Sequence, residues 1–284
     1  MLLVWILLYP HVVVALLSAP LNPSRFGSGA WMALGFASYI LLLAATGNGL
    51  HLGRATGLIR PCSQRLRAIG DATSARMGMK RPNLYEASLL MANALALPFR
   101  GSVVFTDAAL RGLSDSEVDA ILAHELGHIE EPWPVKLVRV VTAMALLPLI
   151  AVHPVAMTYG KKGVAAIGLI FLAVVFAARV FGRRMEARAD RFARAHELDS
   201  GGYARALESI YRLNLVPAVL GRKRMVHPEL DDRMLAGGVQ PEYARPEAPS
   251  NSRTSLAVVA GLAVPFLGLP PLYAVFLFLV EKIG

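Results

Sequence analysis

Residues 114–130, SDSEVDAILAHELGHIE, predict the helix around which the rest of the chain is interpreted. Ser114 is a suitable N-cap, and Glu117 three residues later completes a capping box, so we expect the helix to begin here. Gly127 lowers helix stability relative to alanine, which indicates that another element packs closely against it. An apolar stripe predicts that the helix is buried in a core, and it consists of Val118, Ile121, Leu122 and Leu126.

His124 and His128 are four residues apart, so in a helix they lie on one face and can present imidazole nitrogens to one metal ion. Glu125 would reach a water bound to that ion. Zinc lowers the pKa of a water that it binds, and a neighbouring carboxylate can take the proton as the water attacks a carbonyl carbon. The pattern therefore indicates a zinc peptidase. The alternative is a chance pattern, a solvated helix face with two unrelated histidines.

A catalytic zinc ion normally has three protein ligands and one open position, so a third ligand must lie elsewhere in the chain. Glu186 is the best candidate, because Asp190 lies one helical turn later and could accept a hydrogen bond from a ligand histidine. The alternative is that both carboxylates only form ion pairs at a membrane surface with Arg183, Arg184 and Arg191. The local sequence leaves both interpretations open.

Several stretches between residues 89 and 233 resemble, in the same order, the gluzincin membrane metallopeptidases, which include the HtpX heat-shock proteases and the CAAX prenyl proteases. The stretches are the strand Asn-Ala-Leu-Ala-Leu-Pro at 93–98, the strand at 103–106, the helix of 113–128, the Glu-x-x-Ala-Asp segment of 186–190 and the His-Pro segment of 226–233. One departure is the turn at residues 98–101, where Pro-Phe-Arg-Gly replaces the family's common Pro-Gly-Gly, so local substrate contacts are expected to differ.

The resemblance implies one zinc ion per chain, with Glu186 as its third ligand and Asp190 as hydrogen-bonding support for a ligand. It places His227 near the open position of the ion, where it could stabilise the oxyanion of the tetrahedral intermediate. Arg233 is expected to do the same, to bind a carboxylate in its neighbourhood, or to be a structural partner of Asp190 or Glu186.

The resemblance also gives a substrate-binding role to the strand that begins at Asn93. A peptide would add to this strand as a further extended strand, through backbone groups of Ala94, Leu95 and Ala96 and with the Asn93 amide as an extra anchor. The alternative for these residues is an ordinary buried strand.

The composition favours a membrane protein, because 55% of the 284 residues are hydrophobic and only 17% are charged. A helix needs about 20 mainly apolar residues to cross a bilayer. Suitable stretches are residues 2–19, 30–50, 138–157, 164–181 and 256–280. Prolines in the last stretch make it either a kinked helix or a re-entrant hairpin. The predicted fold is a mainly α integral membrane protein with four to five transmembrane helices and a zincin-like α+β domain, whose small sheet lies beside the metal helix.

The net charge of +9 comes from basic residues beside the apolar spans, so we do not expect nucleic acid binding. These residues are Arg54, Arg60, Arg65, Arg67 and Arg76 after the second span, and Arg179, Arg183, Arg184, Arg188 and Arg191 after the fourth. The positive-inside rule places these segments in the cytoplasm, although Lys161 and Lys162 count against it. The single cysteine, Cys62, fits the same side because it cannot form an internal disulfide.

The predicted organisation alternates membrane and polar segments. Its parts are two spans in 1–50, the first half of the domain in 51–136, two spans in 137–182, the second half in 183–254 and a membrane segment in 255–284. The predicted helices are 65–77, 114–130, 185–196 and 202–213, the predicted strands 89–97 and 102–106, and the predicted loop 241–252. An even number of spans separates the two halves, so they can fold together on one side of the membrane.

The remaining candidates for metal binding are isolated in the sequence. His11 and His153 stand alone in or beside apolar spans, and His51 ends a span. His196 lacks a second histidine at the correct spacing, and Cys62 is expected to be an inert thiol.

The expected function is a zinc endopeptidase of the inner or plasma membrane that acts on membrane-associated or misfolded proteins and contacts lipid. The oligomeric state stays open. One alternative is a site-two-type intramembrane protease, but acidic residues flank the metal helix here. Another is a membrane sensor of the BlaR type, which would not need Glu125. A transporter is disfavoured by the few ionisable residues at the centres of the spans.

Overall fold

The computed structural model describes residues 45–144, 152–219 and 229–247. The strands are β1 (Ile59–Pro61), β2 (Asn83–Ala87), β3 (Ala94–Leu97) and β4 (Ser102–Thr106). The helices are α1 (Gly49–Ala55), α2 (Gln64–Arg76), α3 (Asp107–Gly112), α4 (Asp115–Ile129), α5 (Trp133–Met144), α6 (Val152–Ala195), α7 (Gly202–Leu213) and α8 (Leu230–Ala236). The predicted spans 2–19 and 256–280, most of span 30–50, His11 and His227 lie outside the described residues.

The four strands form one sheet in the order β1-β2-β4-β3. β4 is rich in β-branched and aromatic residues and is buried throughout, as is typical of a strand with neighbours on both sides. It pairs in parallel with β2 and antiparallel with β3, where Ala94 lies opposite Phe105 and Leu97 opposite Ser102. β3 is therefore an edge strand of this sheet.

The predicted strand 89–97 is wrong in its first half, because β3 begins only at Ala94. Side chains occupy the backbone groups that a longer strand would use: the Asn214 amide hydrogen-bonds both the N–H and the C=O of Ala92. Leu90 is 94% exposed, so its apolar character does not mark a buried strand position. Five short elements of three to seven residues were not predicted from the sequence: β1, β2, α1, α3 and α8.

The predicted start of the metal helix is confirmed. The Ser114 side chain accepts a hydrogen bond from the Glu117 N–H, and the Glu117 carboxylate accepts one from the Ser114 N–H at 2.8 Å, which completes the capping box. Helix α7 has the predicted bounds, and α2 begins and ends one residue before its prediction. Helix α4 ends at Ile129, and Pro132 directly precedes α5.

Helix α4 lies in the middle of the domain, between β3 on one side and α2, α6 and α7 on the others. The predicted close packing at Gly127 is confirmed, because a Cβ atom there would lie 3.2 Å from the Cα of Ala189 and from the Cβ of Phe192 in α6. The absence of a side chain thus lets the backbones of α4 and α6 approach each other.

Helix α6 carries the only segment among the described residues that is long and apolar enough to cross a membrane, Tyr159–Ala195, with a mean hydropathy of 2.5 in its most apolar window. That window is not buried inside the protein. The predicted span 164–181 lies in this helix. Gly160, the second residue of this segment, adopts a positive φ of 58° and kinks α6 there. The predicted span 138–157 covers parts of α5 and α6 and a stretch outside the described residues.

Candidate metal centre

Three buried side chains from two helices converge beside the sheet. His124 and His128 lie one turn apart on α4, and Glu186 projects from α6. Nε2 of His124 lies 3.6 Å from Glu186 Oε2, and Nε2 of His128 lies 3.5 Å from Glu186 Oε1. One ligand atom from each residue falls within 4.8 Å of the others, so the three could hold one metal ion. Glu186 is thus directed at the two histidines.

The other ring nitrogen of His124 faces a second set of oxygen atoms. Nδ1 lies 2.7 Å from the Tyr203 hydroxyl and 3.2 Å from Asp190 Oδ1. Burial lowers the pKa of His124, but hydrogen bonds with Asp190 and Glu186 outweigh it and raise that pKa to about 9. Asp190 therefore lies where the sequence placed it, one turn beyond Glu186 and against a candidate ligand.

Arg233 of α8 contacts the same oxygen atoms of Asp190 and Tyr203. Its guanidinium donates to both carboxylate oxygens of Asp190, at 3.0 and 2.6 Å, and to the Tyr203 hydroxyl at 2.6 Å. Burial raises the pKa of Tyr203 well above its ordinary value, so the phenol keeps its proton and donates it to Asp190 at 2.6 Å. Among the roles left open for Arg233, the structure shows the ion pair with Asp190.

The Nδ1 atom of His128, like that of His124, faces a carboxylate. Its Nδ1 lies 2.7 Å from Glu131 Oε1, and Arg139 of α5 donates to both Glu131 oxygens at 2.8 and 2.6 Å. Burial raises the pKa of Glu131, but its hydrogen bonds with His128 and Arg139 outweigh this and lower the pKa below its usual value.

Three residues around the histidines were not predicted from the sequence: Tyr203, Glu131 and Arg139. Arg139 carried a usable signal, because a charge inside the predicted apolar span 138–157 requires a partner. Glu131 lies just beyond α4 and Tyr203 is 79 residues from His124, so only the fold shows their contacts.

The donor set fits a zinc ion. An oxygen atom lies 2.7 Å from Nδ1 of each histidine, and when each Nδ1 donates its proton to that oxygen, the lone pairs of both rings lie on the Nε2 atoms that face Glu186. Two imidazole nitrogens and one carboxylate oxygen are the ligands of catalytic zinc in metalloproteases. Within the described part of the chain this is the one group of histidine, cysteine and acidic residues found to converge in this way.

Glu125 and the edge strand lie next to this group. The N–H of Ala96 in β3 donates to Glu125 Oε2 at 2.7 Å, so the unpaired side of β3 faces α4. Asn93 and Leu95 are exposed, whereas Ala94 is buried. The residues predicted to bind a peptide backbone therefore lie beside the predicted general base.

Of the candidates set aside in the sequence, three can be located. His51 contacts Arg100, His196 Nδ1 lies 2.9 Å from the carbonyl oxygen of Phe192, and Cys62 packs half-buried against the core. None of these belongs to the group of His124, His128 and Glu186.

Comparison with known proteins agrees with this geometry. The chain is 37% identical over 84 residues to a protein named protease HtpX homolog from Aeropyrum pernix, and the match covers 28% of this chain and 25% of that relative. The model of the family described as peptidase family M48 matches residues 62–236, which include every element from α2 to α8. This match covers more than half of the chain, which therefore belongs to peptidase family M48.

Proposed function

We propose that the protein is a zinc-dependent endopeptidase associated with a membrane. The observation that carries this proposal is the convergence of His124, His128 and Glu186 beside Glu125, which itself contacts the edge strand β3. Membership of peptidase family M48, whose peptidases depend on zinc, supports it.

In the proposed reaction, Glu125 transfers one proton from the attacking water to the leaving amine. A zinc ion bound by His124, His128 and Glu186 would supply a Lewis acid that polarises the scissile carbonyl and lowers the pKa of a bound water. Glu125 would take the proton of that water as its oxygen attacks the carbonyl carbon, and would give the proton to the leaving amine as the C–N bond breaks. The N–H of Ala96 holds the carboxylate that carries this proton. His227, outside the described residues, is the proposed donor to the oxyanion.

The substrate would bind as an extended strand along β3. Backbone groups alternate in direction along a strand, so Ala94 points its N–H and C=O to the same side as Ala96, away from β4. An added peptide could pair with the N–H and C=O of Ala94 and with the C=O of Ala96, while the Ala96 N–H stays bonded to Glu125, and so place one of its peptide bonds next to Glu125. The exposed side chains of Asn93 and Leu95 border this path.

The proposed location is the inner or plasma membrane, with several spans and the metal centre on the cytoplasmic side. The unburied apolar segment of α6 and the similarity to a protein named protease HtpX homolog support membrane association. The proposed substrates are membrane-associated or misfolded proteins, and lipid is the proposed neighbour of α6.

The test uses the full-length protein purified in detergent. We expect it to bind one zinc ion and to cleave an unfolded protein such as casein. Glu125→Gln should keep the zinc and lower the cleavage rate by about 10²- to 10⁴-fold, the usual contribution of a general base.

Glu130→Gln is the matched control, because Glu130 carries the same charge just beyond the end of the same helix but is exposed to solvent. It should bind zinc and cleave casein as the wild type does. Cleavage by Glu125→Gln at the wild-type rate would refute the role of Glu125 in catalysis.

A further inference from the structure

The turn between α4 and α5 contains two neighbouring glutamates in opposite environments. Glu130 is exposed, whereas Glu131 is only 3% exposed and directs its carboxylate back towards the metal helix. Glu131 Oε1 lies 2.7 Å from Nδ1 of His128, three residues earlier. A buried carboxylate at this distance controls which ring nitrogen of His128 carries the proton.

Arg139 fixes the position of this carboxylate from helix α5. Its Nε donates to Oε2 of Glu131 at 2.8 Å and its Nη2 donates to Oε1 at 2.6 Å, a two-point contact that defines the plane of the carboxylate. Nη2 also lies 3.0 Å from Nδ1 of His128. The guanidinium, the carboxylate and the imidazole therefore form one connected group.

An ion pair that only fastened α5 to the end of α4 would not need to reach the ring of His128. Here the acceptor atom that lies 2.6 Å from Arg139 is the same Oε1 that faces Nδ1. Second partners of this kind orient a ligand histidine, and their loss typically lowers metal affinity by about 10- to 100-fold.

We propose that Glu131 and Arg139 are positioning residues of the metal centre. Glu131 holds the proton of His128 on Nδ1 and fixes the ring so that Nε2 faces Glu186, and Arg139 holds Glu131 in place. The orientation of His128 thus depends on helix α5. The inference rests on the metal centre of the proposed function.

The first test measures zinc affinity by competition with a chelator, on full-length protein in detergent and without substrate. Glu131→Ala should lower the affinity by about 10- to 100-fold. Glu131→Gln should lose less, because its amide oxygen can still accept a hydrogen bond from Nδ1. Glu130→Ala, which removes the same charge one residue away, should bind zinc as the wild type does.

The second test asks whether Arg139 acts through Glu131. Arg139→Met should weaken zinc binding in the wild-type background and have no further effect in the Glu131→Ala background. Additive losses would overturn this dependence, since two independent contributions add.

A structural role is separated from a positioning role by two further readouts. The visible spectrum of the cobalt-substituted protein should change in Glu131→Ala, because the ring of His128 is no longer held, and should be restored towards wild type in Glu131→Gln. A loss of thermal stability in the metal-free protein with unchanged cobalt spectrum and zinc affinity would overturn the proposal.

Failure of this inference differs from failure of the proposed function. If the wild type binds zinc and the Glu131 variants bind it equally well, only the positioning role is refuted. If the wild type binds no zinc, the metal centre itself is refuted. Should Glu131→Ala not fold, Arg139→Met decides in its place, and wild-type zinc affinity together with a wild-type cobalt spectrum in that variant would overturn the proposal.

Discussion

Each histidine of the candidate metal centre presents its two ring nitrogens to different partners. Nε2 of His124 faces Glu186 at 3.6 Å, whereas Nδ1 faces the oxygen atoms of Tyr203 and Asp190. A neutral imidazole carries one proton, and these oxygens keep it on Nδ1. In the metal-free protein Glu186 also faces Nε2, so a second proton is stabilised there, and the pKa of His124 rises to about 9 despite its burial. Zinc and this second proton compete for the same nitrogen.

We predict that zinc affinity rises with pH until the pKa of His124 is passed. The folded pKa of about 9 lies above the ordinary 6.5, so His124 stabilises the metal-free protein fully below pH 6.5, and this contribution is lost as the pH rises through 9. One displaced proton should make zinc binding about tenfold tighter per pH unit over this window. Chelator-competition titrations from pH 6 to 10 measure the slope.

Asp190→Asn is the matched variant for this titration. The substitution removes a charge that raises the pKa of His124, so the zinc affinity should level off at a lower pH than in the wild type. Zinc affinity that stays constant between pH 7 and 9 in the wild type would contradict the protonated state assigned to His124.

At the scale of elements, the metal centre depends on how closely α4 and α6 approach. His124 and His128 come from one helix and Glu186 from the other, and Gly127 lies at their contact. A side chain at this position would press against the backbone of Ala189, which lies three residues beyond Glu186. The distance between the helices therefore controls the distance between the candidate ligands.

We predict that Gly127→Ala weakens zinc binding several-fold and lowers the melting temperature. The new methyl group would lie 3.2 Å from the Cα of Ala189, so α6 must shift by a few tenths of an ångström and carry Glu186 with it. Overpacking costs about 1–3 kcal/mol, which the gain in helix propensity of about 1 kcal/mol offsets only in part. Chelator competition and thermal unfolding measure the two effects.

The control for this prediction is Gly168→Ala, another helical glycine. A Cβ atom there meets no atom within 4 Å, so this variant should bind zinc as the wild type does. The packing argument would be wrong if Gly127→Ala bound zinc as tightly as Gly168→Ala.

At the scale of the whole molecule, one helix joins the apolar segment to the metal centre. Beyond Gly160, α6 runs through exposed apolar residues such as Leu172 and Phe176 and then enters the domain with Glu186 and Asp190. The organisation predicted from the sequence has a boundary at residue 182, whereas the helix continues through that point in the structure. Glu186 and Asp190 therefore lie on the same continuous helix as the exposed apolar residues.

We predict that the apolar part of α6 lies in lipid in the native membrane. Leu172 and Leu198 are similarly exposed in the protein itself, at 63% and 59%. A difference in how fast a water-soluble reagent reaches these two positions would therefore come from the membrane. In a Cys62→Ser background, Leu198→Cys should react with a membrane-impermeant maleimide in inside-out vesicles, whereas Leu172→Cys should react only after solubilisation. Equal labelling rates of the two cysteines in intact vesicles would contradict the membrane assignment.

Much of the site could be predicted from the sequence, because short patterns within single helices indicate it. The capping box at Ser114 fixes where α4 begins, and the helical repeat then places His124 and His128 on one face whatever surrounds them. The pair Glu186 and Asp190 follows the same rule on α6. The strand prediction failed at residues 89–93, because apolar residues such as Leu90 are exposed there and Asn214 occupies the backbone of Ala92.

The sequence by itself determined the metal helix with its start and the pair His124 and His128, since these follow from the spacing of residues along one helix. It also carried the motifs of the family resemblance, which implied Glu186 as the third ligand. Only the tertiary structure decided which partners support the ligands. Tyr203 and Arg233 meet Asp190, and Arg139 meets Glu131, through contacts between separate elements. Such contacts depend on how separate helices pack against one another, and no local pattern encodes that packing.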